Sequence, residues 1–381
     1  MLRSTAAALA IALLVQDSAT SDSEKSKLHD ELAASALDTG EQLIKLKAWD
    51  EARAFLELVR AKSDARAEAL DKLIAKTDKQ TSGLRWDAKS SDLVKAFGSE
   101  RAKKFFAFAK AWKEKDAEAA RWTQAEGEIL DDLLDYAKAY ARLTQIRAHY
   151  ELPKTRFDWK LSVPAVWHAK YKLLNVNHSG ELEGSPGYST EGRKTAQGAI
   201  TSPDESVSDM MEGLIHTPFN RNYILHPGFV RTGLGQAKGQ FATGVVDVKS
   251  GLVPIDPANT VLSIPRDKAT NVPPRGYDDR TRIVDGKSMK ELGYPLSLVF
   301  FDATVRPKDV KVDLTERMKS IDLYLSTPES PTVKSSTPYC RSTILAVSKE
   351  PLKSETEYRI SVRFEAKGTE QLVEWSFKTG R

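Results

Sequence analysis

Apolar residues recur every three or four positions through residues 24 to 126, the period of an amphipathic helix. Leu43, Leu46, Ala52, Leu56 and Val59 form one series, and Phe105, Phe108 and Trp112 another. The segment is rich in Ala, Lys, Glu, Leu and Asp and nearly free of Pro and Gly, so propensity agrees with period. A clearer helix is predicted over about Glu128 to His149, where Ile129, Leu133, Tyr136, Tyr140 and Leu143 share one face. After Leu152-Pro153 a short helix is predicted to start near Val163-Pro164, since proline suits a first turn, and to carry Trp167, Tyr171 and Leu174. A third start is read at Ser202-Pro203-Asp204-Glu205: an N-cap serine, a proline at the first helical position and a glutamate placed for a capping box. Val207, Met210, Met211 and Leu214 then make its buried stripe. Between these helices, Gly180 to Ala199 holds five glycines and a proline and reads as a long loop. Loops of that length are functional or disordered.

Beyond Pro227 the pattern changes to strands, first Gly233-Leu234-Gly235 and then Phe241 to Val248. In the last third, apolar and polar residues alternate. The apolar sets are Leu296, Leu298 and Phe300; Val310, Val312 and Leu314; Ile321, Leu323 and Leu325; Tyr358, Ile360, Val362 and Phe364; and Val373, Trp375 and Phe377. One buried and one wet face per strand, with turn signals between, predicts a β-sandwich. Residues 250 to 292, with many prolines and charges, read as a linker plus the first strand.

The 381 residues are expected to divide into two or three domains. A net charge of +4 from 57 basic and 53 acidic residues argues against a dedicated nucleic-acid binder. A single cysteine, Cys340, rules out an intramolecular disulfide and a Cys-rich zinc site, so packed cores must supply the stability. Arg3 followed by the short apolar run Thr5 to Val15 has the form of a signal peptide and is too short to span a bilayer. Cleavage is expected near Ala19 or Thr20, with an uncleaved anchor as the alternative. No later stretch reaches transmembrane length. The chain is therefore expected to be secreted, periplasmic or displayed at the cell surface.

Five of the six histidines, His149, His168, His178, His216 and His226, lie within 149–226, the stretch that also holds the glycine-rich loop. Histidine is the usual metal ligand and proton carrier near neutral pH, so this is the candidate site region. His216 and His226 flank a tight turn, where capping a helix or bonding the backbone would equally account for them. The order of motifs is His168-Ala169, then His178 in NVNHSGEL, then SPGYSTEGR, Ala196-Gln197-Gly198, the segment from Thr217 to Pro227 (TPFNRNYILHP), and Gly233-Leu234-Gly235. Over about residues 128–250 this order resembles the CAP superfamily (cysteine-rich secretory protein, or SCP-like) domain of bacterial type.

That resemblance implies a central αβα sandwich, with a pocket that gathers two histidines and two acidic residues and in some members binds a divalent metal. Here the first histidine is His178. The second falls on Asn220, beside Arg221, and the motif glutamate falls on Gln197. Asn and Gln supply neither an imidazole nor a carboxylate. His178 and Glu181 offer two ligands, and His168 or His216 a third, where zinc takes three or four. A divalent metal, zinc or calcium, is thus the cofactor to test. The last third resembles bacterial immunoglobulin-like modules, through Gly293-Tyr294-Pro295 before LSLVFF, Thr356-Glu357-Tyr358 before RISVRF, and the terminal WSFKTG.

The expected organisation is a signal peptide (1–20), an all-α helical region (21–127), a CAP/SCP-like domain (128–250), and a linker with an all-β immunoglobulin-like sandwich (251–381). The expected function is an exported, non-enzymatic binding protein. Its pocket, drawn from His168, His178, Glu181, Gln197, His216, Asn220 and Arg221, takes a lipid, a small ligand or a protein partner at the cell envelope. The alternatives are a metal-assisted hydrolase of peptide or cell-wall material and a structural envelope protein.

Overall fold

The computed structural model describes residues 2–381 except 63, 65, 79, 84–85, 179, 204, 240–241, 256–260, 278–283, 285–286, 303 and 333–341, with backbone alone for 2–19. Asp204, Phe241 and Cys340 therefore lie outside the described residues, as do the side chains of most of the expected signal peptide. The chain has an N-terminal helical region and C-terminal sheets that are mostly antiparallel. It forms two compact units. Unit 1 is 1–145, 155–211 and 231–251; unit 2 is 146–154, 212–230 and 252–381.

Unit 1 opens with α1 (Leu2–Lys45), α2 (Trp49–Arg60), α3 (Ala67–Thr77), α4 (Ala88–Trp112) and α5 (Ala117–Asp131). Two starts follow from capping aspartates: Asp87 accepts from Ser90 N–H and Asp116 from Ala119 N–H. The expected apolar series are buried, save half-buried Leu46, and Phe55 meets Phe97 edge-to-face at 4.9 Å. The helix expected from Glu128 breaks at Asp132, and α6 runs Leu133–His149. Asp132 leaves helical geometry and its carboxylate accepts hydrogen bonds from Gln236 and Lys238.

The rest of unit 1 is a small sheet with helices on it. Its strands are β1 (Arg156–Phe157), β2 (Ala199–Pro203), β3 (Arg231–Lys238) and β4 (Ala242–Asp247), in the order β1-β3-β4-β2. The β1–β3 pair is parallel and the others antiparallel. Helix α7 (Trp159–Leu174) lies against β3. A Cβ on Gly233 would stand 2.4 Å from the Leu161 carbonyl carbon, and one on Gly235 2.2 Å from that of Ala165. Residues two apart on a strand share a face, and residues four apart on a helix do too. The Gly-x-Gly pattern therefore marks where helix backbone meets strand backbone.

Three sequence expectations are corrected here. The helix expected from Val163 starts at Trp159, because Asp158 caps it by accepting from Lys160 N–H, and Pro164 sits inside it. Ser202-Pro203 does not start a helix: Ala199–Pro203 is a strand paired with β4, and α9 (Val207–His216) follows, with Ser206 Oγ accepting from Asp209 N–H. Within the expected loop of Gly180 to Ala199, α8 (Thr190–Ala196) forms, capped by Ser189, which accepts from Gly192 N–H.

A buried charge cluster ties the helices to α7. Glu126 of α5 is 2.5 Å from Lys62 Nζ, 3.8 Å from Lys25 Nζ and 3.4 Å from His29 Nε2. Burial raises the Glu126 carboxyl, but the Lys62 ammonium, the His29 bond and Lys25 outweigh it and hold it at about 2. Burial lowers both Lys62 and His29 against the pull of Glu126. Lys62 also stands over the ring of Trp159, whose Nε1 donates to Leu58 O at 2.9 Å.

Unit 2 contains two sheets. One has the order β10-β11-β7-β5, from β5 (Val261–Ile264), β7 (Leu296–Phe300), β10 (Leu323–Ser326) and β11 (Thr343–Ser348). The other is β6-β13-β12-β8-β9, from β6 (Ala269–Val272), β8 (Lys308–Glu316), β9 (Lys319–Ile321), β12 (Glu357–Ala366) and β13 (Thr369–Thr379). They share a core of Leu296, Leu298, Phe300, Leu314, Tyr358, Ile360, Val362, Phe364, Trp375 and Phe377, all from the alternating sets, together with Ile344. The segments 146–154 and 212–230 are held by two wholly buried arginines. Arg147 donates to the carbonyls of Pro153, Ile224 and His226. Arg221, in α10 (Asn220–Ile224), donates to Pro295 O and Ser297 Oγ of the sheet region. Among the described residues no helix is long and apolar enough to cross a membrane.

Candidate functional site

Helix α7 carries His168 and Tyr171 on one face, three residues apart. The loop after α7 folds back over them because its own polar groups fasten it. Asn175 Nδ2 donates to Tyr171 O at 2.9 Å and to Pro186 O at 2.8 Å, and Lys172 Nζ donates to the carbonyls of Val176 and His178. This brings Glu181 onto His168. Glu181 Oε1 lies 3.0 Å from His168 Nδ1, and Oε2 accepts from Ser189 N–H at 2.9 Å. The two side chains are 3% and 0% exposed. Tyr171 OH accepts from Leu182 N–H at 3.0 Å, leaving its own proton for His178 Nδ1 at 2.7 Å. His178 and Glu181 thus have separate partners. Gln197 is exposed at the C-terminal end of α8, its N–H on Lys194 O.

The other sequence candidates belong to unit 2. His216 stacks on Tyr277 with centroids 4.9 Å apart, meets Tyr294 edge-on, and lies 3.6 Å from Glu212. Asn220 is half-buried, its N–H bonded to Pro218 O. Arg221 holds the sheet region as described. His226 Nδ1 accepts from Gly228 N–H, and burial, with the Arg147 cation nearby, lowers its pKa to about 4. It is a neutral backbone-bonding imidazole at physiological pH.

A cleft of about 520 Å³ opens in unit 1 beside the His168–Glu181 pair. Helix α5 contributes Glu118, Arg121 and Trp122, α7 contributes Trp167, and the start of α8 contributes Tyr188 to Glu191. Trp122 and Trp167 meet edge-to-face at 5.1 Å, and the Arg121 guanidinium lies 3.9 Å over the Trp167 ring. Glu181 supports this wall from behind, through the Ser189 N–H that it accepts. The histidine pattern led to the supporting pair but not to Trp122, which meets Trp167 only through the packing of α5 on α7.

Among the described residues, no three His, Cys, Asp or Glu side chains are arranged to hold a metal ion. Both oxygens of Glu181 hold hydrogen bonds, to His168 and to the Ser189 N–H, and His178 Nδ1 bonds Tyr171 OH. Compared with the models of known protein families and with characterised proteins, the chain matches none.

Proposed function

We propose that this chain is an exported, non-enzymatic binding protein whose ligand seats on the Trp122–Trp167 cleft. In this reading residues 21–127 are a helical region, 128–250 a CAP-like αβα domain, and 251–381 a linker with an immunoglobulin-like sandwich. The observation that carries the proposal is the state of Glu181. A general base must reach the proton it removes, and a metal ligand must present a free lone pair to the ion. The Glu181 side chain is 0% exposed, which keeps it from a substrate or ion in the solvent, and its oxygens bond His168 and the Ser189 N–H. It acts as a strut, and the surface it supports is an aromatic cleft of the size that takes a small ligand. Residues 1–20 are read as the export signal, which N-terminal sequencing of the secreted product tests.

The functional test is calorimetric titration of zinc and of calcium into the full chain and a His178→Ala variant. The full chain is required because unit 1 draws on residues far outside 128–250. The expected result is no stoichiometric uptake by either protein. One-to-one binding at micromolar or tighter affinity, lost in the variant, would overturn the proposal in favour of a metal-assisted hydrolase.

A further inference from the structure

We infer that the cleft over Trp122 and Trp167 takes a short neutral oligosaccharide, an inference that rests on the cleft being the binding seat. Trp122 and Tyr188 are half-exposed on its walls, and Trp167 lies beneath with little exposure of its own. An aromatic face is electron-rich, so it attracts the weakly positive C–H face of a pyranose ring. A lipid chain would want a continuous apolar wall. Here the aromatic surfaces alternate with Glu118, Arg121, Ser189, Thr190 and Glu191. A pyranose, with C–H groups on its faces and hydroxyls around its edge, matches that alternation.

Charge narrows the class. The cleft carries one cation, Arg121, and two carboxylates, Glu118 and Glu191, so a uronate or sulfated chain meets net repulsion. A neutral sugar does not. Planar guanidinium and carboxylate groups suit adjacent hydroxyls, which both donate and accept. The Arg121 guanidinium stands 3.9 Å over the Trp167 ring, so it sits in the cleft as a hydrogen-bond donor. The walls are also fixed before any ligand arrives. Ser189 is bonded through its N–H to Glu181 and through its Oγ to Gly192, and the two tryptophans brace each other. Pre-set walls lower the ordering cost of binding.

The test applies the full chain to a printed array of neutral and anionic oligosaccharides. Hits are then titrated by tryptophan fluorescence against the parent chain, Trp122→Ala and Arg121→Gln. Circular dichroism and the unfolding midpoint show whether each variant folds. Arg121 is exposed, so its variant keeps the test decisive if Trp122→Ala does not fold. The expected result is a neutral glycan that changes the fluorescence and binds about tenfold or more weaker to Trp122→Ala, and also weaker to Arg121→Gln. Binding of anionic glycans alone, or neutral binding unchanged in both variants, overturns the inference. A small-fragment set followed by ligand-observed NMR separates the two levels. Fragment signals lost in Trp122→Ala without any glycan binding refute the sugar and keep the cleft as a seat. No binding of either kind refutes both.

Discussion

Replacing Glu126 by alanine should loosen unit 1 as a whole, because one carboxylate on α5 serves cations from α1 and from the turn after α2. Glu126 is 2% exposed, and the Lys62 side chain beside it is 10% exposed. Removing one partner of a buried pair leaves the other charge without compensation and costs about 3–5 kcal/mol. For a cooperative unit of about 150–250 residues, each kcal/mol moves Tm by about 2–4 °C, so a fall of about 10 °C is expected. The assays are thermal unfolding and urea unfolding at pH 7, followed by far-ultraviolet circular dichroism and tryptophan fluorescence. The double variant Glu126→Leu with Lys62→Met should lose much less than the two single losses together, since neither charge is then stranded. The sign with pH follows from a depressed carboxyl. Its stabilisation is whole above about 4.5 and disappears as pH falls towards about 2, and Glu126→Gln should flatten that part of the curve. A loss under about 1 kcal/mol for Glu126→Ala, or additive losses in the double variant, would refute the reasoning.

Two further outcomes are expected. Gly235→Ala places a methyl 2.2 Å from the Ala165 carbonyl carbon, and backbone cannot rotate aside, so unfolding measurements should show a loss of about 1–3 kcal/mol. An unchanged Cm would contradict the close packing of α7 on β3. His226, lowered from 6.5 to about 4 by burial, takes up its proton more readily when unfolded, so stability should rise between about pH 4 and 6.5. His226→Gln should reduce that rise, which midpoints at pH 4.5 and 7 would show; an equal rise in the variant would assign the effect elsewhere.

Much of the architecture was legible as period. The 3.6-residue spacing of Leu43 to Val59 and the alternation of Tyr358 to Phe364 report burial on one face, and both are buried as expected apart from half-buried Leu46. Starts and stops were harder to read where two local signals competed. Asp158 out-competed Pro164 as a helix start, and Ser206 out-competed Ser202, because pairing with β4 claimed Ala199–Pro203 for the sheet. The loop from Gly180 hid α8, because its glycines mask a Ser189 cap that serves only a short helix. At the site, histidine spacing pointed to His168, His178 and Glu181. It did not show that Glu181 would bond His168 and leave His178 to Tyr171, since that choice is made by the fold of the loop. Trp122 carried no local signal, because its partner Trp167 lies 45 positions away and meets it only in the tertiary structure.

The measurement that bears most directly on the account is the unfolding midpoint of Glu181→Ala in the full chain, read beside the cleft's ligand binding. Glu181 makes two charge-assisted hydrogen bonds in a buried place, each worth about 1.5–3 kcal/mol. If it is a strut, the variant is markedly less stable, and Ser189 with the cleft wall loosens, so binding weakens as well. If it is instead a catalytic or metal-holding carboxylate kept at a cost to the fold, the variant is as stable as the parent chain or more so, and metal uptake is what disappears.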